Sequence, residues 1–279
     1  MPSYNNSVIR KIQDAIAKAR SLPKPSIEED TIIAATYDAW PAARILYTSC
    51  LHSGRTCALA EATLASTSII PYRETGPVIA FTTNPRSLRT VNLAEAAGIL
   101  GLDVTVVAPS IHPAVRERLE MSGATIIETG EPGLLIMSIA TALWAPPMMG
   151  AREARLRGEL EELDSAPEWL IKGALRNMGV IGEDSLSSPP LYTPIAAPGA
   201  YYHCIALQCG APIPLDAASK SRFPSSIVYA TSVEQHDYRD ILALSLKIKR
   251  DLVILINSDP VTAGLYSVMA AALITGRAI

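Results

Sequence analysis

Short runs rich in Val and Ile alternate with helix-periodic segments along most of the chain, and this alternation narrows the fold more than any other feature. From residue 76 the order is strand "GPVIAFTT" (76–83), helix "SLRTVNLAEAAGILG" (87–101), strand "LDVTVVAPS" (102–110) and helix "HPAVRERLEMSG" (112–123). Strand "ATIIETG" (124–130) and a helix over 132–145 follow. These strands are apolar at consecutive positions, so both of their faces are covered. Strands separated by helical crossovers pair in parallel. The prediction is an α/β fold of three-layer αβα units with mainly parallel sheets.

The flanks extend the pattern. Val8, Ile12, Ile16 and Ala19 have helical spacing, closed by "SLPKP". A second helix is predicted near 28–39, then strand "RILYTS" (44–49), helix "TCALAEATLAST" (56–67) and a weak strand "SIIPYRE" (68–74). A charged helix "GAREARLRGELEEL" (150–163) precedes the polar, proline-ended linker "IGEDSLSSPP" (181–190). Strand "LYTPIAA" (191–197), helix "GAYYHCIALQCG" (199–210) and strands "APIPLDAAS" (211–219) and "SSIVYATS" (225–232) come next. Helix "VEQHDYRDILALSLKIK" (233–249), strand "DLVILINS" (251–258) and an apolar closing helix complete the chain. The expected organisation is N-terminal helices (1–40), a first α/β domain (41–150), a helical connector and linker (151–190) and a second α/β domain (191–279).

Bulk properties exclude several classes. With 49% hydrophobic and 18% charged residues among 279, the chain can build large cores and is not disordered. A net charge of −3 offers nucleic acid or an anionic membrane no general attraction. The N-terminus has no apolar signal core. The charge-free runs 133–150 and 261–276 are too short or too interrupted (by Pro146-Pro147) to span a bilayer. A soluble, cytoplasmic protein is expected. Cys50 and Cys57, like Cys204 and Cys209, lack zinc-knuckle spacing and read as buried or half-buried thiols in a reducing compartment. No dinucleotide, P-loop or His–Glu zinc signature occurs, so no cofactor and no metal is expected.

In an open parallel sheet, ligands bind beyond the carboxyl ends of the strands, where helix N-termini present unpaired amides and a positive dipole end. Three predicted strand ends carry polar residues: "SCLHSGRT" (49–56), "TTNPRSLRT" (82–90) and "TGEPG" (129–133). Ser49, Ser53 and Thr56 of the first, and Thr82, Thr83, Asn84, Arg86 and Ser87 of the second, are donors that suit a phosphate, with Arg55 and Arg89 nearby. Ser87 or Thr56 serves equally well as a plain helix N-cap. His52 either meets a sugar hydroxyl or stands exposed.

The run "VIAFTTNPRSLRTVNLAEAAGILGLDVTVVA" resembles the core of the sugar-isomerase (SIS) domain family, in which a strand ends in a Ser-x-Ser-Gly-x-Thr loop, followed by a helix and another strand. "RILYTSCLHSGRTCALAEATLA" resembles that family's first strand, loop and helix, and "ATIIETGEPGLLIMSIATAL" its later strand with a glutamate-bearing loop. The second domain is similar to the second SIS domain of double-domain members, such as the isomerase half of glucosamine-6-phosphate synthase. The Ser-x-Ser-Gly-x-Thr loop departs from the family pattern at Pro85, where the glycine stands, and the first loop at Ser49, Cys50 and Leu51, where Gly-Thr-Ser is usual.

The resemblance implies a phosphosugar-binding homodimer, and an aldose–ketose isomerase or a non-catalytic sugar-phosphate-binding relative of one. Isomerisation needs an acid–base group. Glu131 is one candidate, and it equally complements a helix dipole. Glu234 with His236 is the other, and it equally forms the polar start of a helix. The helix holding His203 and Gln208 has neither the lysine nor the glutamate of the synthase's corresponding helix, which argues against synthase activity.

Overall fold

The computed structural model describes residues 6–72, 76–148, 150–176, 186–217, 227–239 and 252–279. The chain divides into two compact units: residues 15–150, and residues 151–279 with 1–14. Helix α1 (Asn6–Ser21) buries Val8, Ile12, Ile16 and Ala19, as their spacing requires.

The first unit holds β1 (Ile32–Ala35), α2 (Trp40–His52), β2 (Ala58–Glu61), a short helical turn α3 (Ala62–Leu64), β3 (Val78–Phe81) and α4 (Leu88–Ile99). It continues with β4 (Val104–Ala108), α5 (Pro113–Met121), β5 (Thr125–Glu128) and α6 (Gly133–Leu143). The five strands form one parallel sheet in the order β2-β1-β3-β4-β5. Ile32, Ala34, Val78, Ala80, Val104, Val106 and Ala108 share a core cluster with Val91, Leu93 and Ala97 of α4 and Val115 and Leu119 of α5. The alternate strand residues face the other layer, where α2 and α6 pack on each other. The unit is therefore the three-layer sandwich that the apolar strands predict.

Four local expectations fail before residue 76. The predicted helix near 28–39 contains the buried strand β1. The predicted strand 44–49 lies inside α2, and the predicted helix 56–67 opens with β2. The stretch 68–74, expected as a weak strand, is helical turn through Tyr72. A four-residue apolar run such as "IIAA" is too short for periodicity to separate strand from helix. In α2 the buried positions Ala42, Ala43, Ile45, Leu46, Ser49 and Cys50 trace one helical face behind Pro41. That spacing outweighs the β-propensity of "RILYT".

The second unit holds α7 (Ala151–Glu161), α8 (Ala166–Lys172), β6 (Leu191–Tyr192), α9 (Ala197–Leu207), β7 (Ile213–Pro214), β8 (Ile227–Thr231), β9 (Leu252–Ile256) and α10 (Pro260–Thr275). Its strands are parallel in the order β7-β6-β8-β9. β6 and β7 are each two residues long, shorter than the runs expected at 191–197 and 211–219. Residues 232–234 form a 3-10 turn where the helix 233–249 was expected to begin. Residues 181–185, 218–219, 225–226, 240–249 and 251, on which other expectations fall, lie outside the described residues. Helices α9 and α10 approach closely at Gly199, whose amide donates to Ser267 Oγ (2.9 Å); a Cβ there would meet the Ser267 carbonyl.

The two charge-free runs bury themselves within the chain: Gly133–Ala142 of α6 and Pro260–Ile274 of α10 are buried residue by residue. Among the described residues, no helix is long and apolar enough to cross a membrane.

Candidate functional site

The strand order sets where a ligand can enter. From β1 the chain crosses to β2 on one side, and from β3 it crosses to β4 and β5 on the other. The ends of β1 and β3 therefore flank a topological switch point, where helices diverge and leave a crevice. A cleft of about 370 Å³ lies there, lined by Thr36, Tyr37, Asp38, Asn84, Ser87, Leu88 and Arg89.

Its walls are two loops tied to each other. Thr36, the first residue after β1, donates its hydroxyl to Thr82 Oγ1 (3.1 Å), and Thr82 Oγ1 also accepts the Asn84 amide (3.1 Å). Asp38 Oδ2 accepts from the Thr83 amide (3.1 Å) and from the Thr83 hydroxyl. Asn84 Oδ1 accepts the Arg86 amide (2.9 Å), closing an Asx turn over Pro85. Ser87 caps α4, its Oγ accepting from the Thr90 amide (3.3 Å) and hydroxyl (2.9 Å). The cleft is thus floored by the N-terminus of a three-turn helix, with an amide side chain and a serine hydroxyl on one wall and a carboxylate on the other.

Of the residues singled out in the sequence, the structure brings Thr82, Thr83, Asn84 and Ser87 to this crevice. Arg86 is exposed beside it, and Arg89 lines it while pairing with Glu61 (3.2 Å). Ser49, His52, Ser53 and Thr56 lie elsewhere, because their segment is the end of a helix and the entry to β2, at the opposite edge of the sheet. Ser49 Oγ donates to the Leu46 carbonyl (2.6 Å) and Ser53 Oγ to that of Cys50 (2.8 Å), so both are spent on their own helix. Arg55 donates to the Ile27 carbonyl. Glu131 follows β5 at the sheet's far edge and accepts the Gly133 amide (3.0 Å) at the start of α6. Tyr37 and Asp38 escaped sequence reasoning; "TYDAW" directly after "IIAA" was the available signal, hidden once β1 was read as helix.

The second unit has its own switch point, between β6 and β8. There Glu234 is buried (7% exposed), accepting from the Thr193 and Thr231 hydroxyls and from the Ile195 amide (2.8 Å). Its carboxylate takes up three donors at the ends of these strands. His236 is exposed two residues on. Among the described residues, no group of three or more His, Cys, Asp or Glu is placed to hold a metal.

No family model matches the chain, and no curated protein matches it in sequence. Solved structures do match its fold. The C-terminal domain of glucosamine-fructose-6-phosphate aminotransferase from Francisella tularensis is 13% identical, with a TM-score of 0.60, over 99% of this chain and 96% of that one. Tagatose-6-phosphate ketose/aldose isomerase from Escherichia coli is 11% identical, with a TM-score of 0.60, over 97% and 87%. Glucosamine-6-phosphate deaminase from Thermotoga maritima is 12% identical, with a TM-score of 0.59, over 98% and 91%. Two parallel sheets flanked by helices, matched along nearly the whole chain, give this protein the SIS phosphosugar-isomerase fold.

Proposed function

We propose that the protein binds a phosphorylated sugar in the crevice between β1 and β3, and that it interconverts aldose and ketose forms there. The observation that carries this reading is an open cleft of about 370 Å³ whose floor is the N-terminus of α4. The first amides of a helix have no intrahelical partner and face a favourable dipole end, so a phosphate is the natural occupant. Asn84 and Ser87 stand beside those amides, and Arg86 and Arg89 supply positive charge at the rim. The volume lies within the range of small-molecule sites. The matched structures named for sugar-phosphate chemistry point the same way.

Catalysis would move a proton between adjacent sugar carbons, which calls for one carboxylate facing the sugar. Asp38 holds that place across the cleft from Ser87, and it replaces Glu131 and Glu234 in this role. The Thr83 amide and hydroxyl fix its carboxylate on one oxygen, leaving the other to work. One observation favours binding without turnover: Pro85 has no amide to donate within the loop that carries the phosphate donors.

Titration calorimetry with glucose 6-phosphate, fructose 6-phosphate, arabinose 5-phosphate and the free sugars tests binding. Heat with the phosphate esters alone is expected. Ser87→Asp keeps a helix cap but puts a carboxylate where the phosphate sits, and it should weaken binding roughly tenfold or more. Equal affinity in wild type and variant removes the site. Incubation in heavy water then separates the two readings. Wild type should wash deuterium into carbon-bound positions and Asp38→Asn should not, while still binding; a wild type that binds without exchange is a sensor.

A further inference from the structure

The chain's four cysteines fall into two pairs whose first members occupy the same place in the two units. In each unit one helix crosses from the first strand to the edge strand: α2 from β1 to β2, and α9 from β6 to β7. Both helices end in a left-handed turn, at Gly54 (φ 80°) and at Gln208 (φ 56°). In both, the amide beyond that turn returns to a cysteine carbonyl five residues back: Arg55 to Cys50 (3.0 Å) and Cys209 to Cys204 (3.2 Å). These are Schellman closures, and a cysteine stands at the same capping position in each.

The second cysteine of each pair folds back onto the first. Cys209 Sγ lies 3.1 Å from Cys204 Sγ; Cys57 is a neighbour of Cys50, its Sγ also reaching the Glu28 and Glu29 carbonyls (3.9 Å each). Cys50 and Cys204 are buried, whereas Cys57 and Cys209 are partly exposed. We infer that each pair is a redox dithiol, with an accessible attacking sulfur and a shielded resolving one, that closes to a disulfide with a low-molecular-weight disulfide as oxidant. Hydrogen bonding to the buried partner holds Cys57 and Cys209 below the ordinary thiol value, with burial opposing in both and Arg55 assisting at Cys57. The same contact, and burial, push Cys50 and Cys204 up.

The Cys209 thiolate attacks one sulfur of the oxidant and expels the other as a thiolate, leaving a mixed disulfide on the protein. Cys204 then loses its proton to solvent and attacks the Cys209 sulfur, expelling the second small thiolate. The protein gives up two protons and two electrons per pair, and the oxidant becomes two thiols. Cys57 and Cys50 react in the same way. An apolar contact alone would ordinarily close a Schellman turn. In the second unit sulfur stands on both sides of that contact, at Cys204 and Cys209; in the first the residue past the turn is Arg55 and the second cysteine follows two residues later.

The full chain, freshly reduced, is equilibrated with oxidised and reduced glutathione at graded ratios, quenched in acid, alkylated and weighed. The expected product is monomeric, lighter by about 4 Da for two disulfides, with peptide maps joining Cys50 to Cys57 and Cys204 to Cys209. Its Tm should rise by roughly 5 °C, since each bridge closes a short loop. Cys57→Ser and Cys209→Ser should each lose one bridge and keep the other. The proposal fails if the folded protein keeps four alkylatable thiols at a ratio that oxidises the urea-unfolded chain. It fails equally if mixed disulfides with glutathione persist, or if the mapped bridges cross between the pairs. The wild-type map decides the matter even if a serine variant does not fold.

Discussion

The crevice between β1 and β3 and the crevice between β6 and β8 are built from matching parts. A threonine follows the first strand of each sheet, Thr36 and Thr193, and its amide donates to the neighbouring strand, at Phe81 (3.0 Å) and Tyr229 (2.9 Å). A 3-10 turn and a proline-started helix follow in both. A second threonine stands just past that acceptor in each, Thr82 one residue beyond Phe81 and Thr231 two beyond Tyr229. The difference lies three residues beyond it. In the second unit that residue is Glu234, whose carboxylate bridges both threonine hydroxyls; in the first it is Pro85, and the threonines bond to each other at 3.1 Å. A crevice that gathers donors needs an acceptor. The second unit supplies one from its own chain, and the first leaves about 370 Å³ open beside its donors.

The largest effect should come from removing the plug. Glu234→Ala strands the Thr193 and Thr231 hydroxyls and the Ile195 amide, with both threonines fully buried. The expected loss is about 3 kcal/mol, measured as a shift in the urea midpoint. Glu234→Gln, which keeps an acceptor, should cost less. If Glu234→Ala instead leaves stability unchanged and abolishes turnover, the two crevices exchange roles.

A smaller and sharper change is Pro85→Glu, which gives the first crevice the residue that closes the second. The new carboxylate can reach Thr36 and Thr82, which now satisfy each other. Sugar-phosphate affinity should fall roughly tenfold or more through like-charge exclusion. The melting temperature without ligand should stay within a few degrees of wild type, because the loop residue is exposed. Unaltered affinity, measured by calorimetry, would break the equivalence of the two crevices.

How legible the molecule was in its sequence follows the composition of its apolar runs. β3, α4, β4, α5, β5 and α6 all lie where "VIAF", "VTVVA" and "TIIE" and the helical spacings between them place them. β1 and β2 were hidden because "IIAA" and "ALAE" are rich in alanine, a weak strand former, whereas the equally short β3 and β5 are not. That error carried a functional cost. Without β1 the switch point moves, so Ser49, His52, Ser53 and Thr56 were expected at an edge they do not occupy, and Asp38 was not expected at the edge it lines. At Glu234 the position was legible but its partners were not. Thr193 lies 41 residues away, and no local pattern shows that contact.

The same contrast reaches the histidines. Among the four, only His203, in the second unit, is fully buried. Its Nε2 donates to the Leu186 carbonyl (2.8 Å), and its Nδ1, hydrogen-bonded to Tyr229 Oη (3.0 Å), accepts when the ring is neutral. Burial holds its pKa below the ordinary 6.5, with the Leu186 carbonyl opposing more weakly. The unfolded chain therefore takes up a proton there before the folded one does. Stability is unaffected well above pH 6.5 and declines as the pH falls from 6.5 towards the folded value, by at most about 1.4 kcal/mol per pH unit. Hydrogen exchange at pH 7.5 and 5.5, read on peptides from α9 and β8 against peptides from β3 and β4, should show acid loosening the second unit more. In His203→Gln, which keeps one donor and one acceptor, protection is lower at both pH values and the difference between units no longer widens in acid. Equal widening in the variant would mean that the second unit's acid sensitivity arises from another group, and that its buried imidazole is only packing.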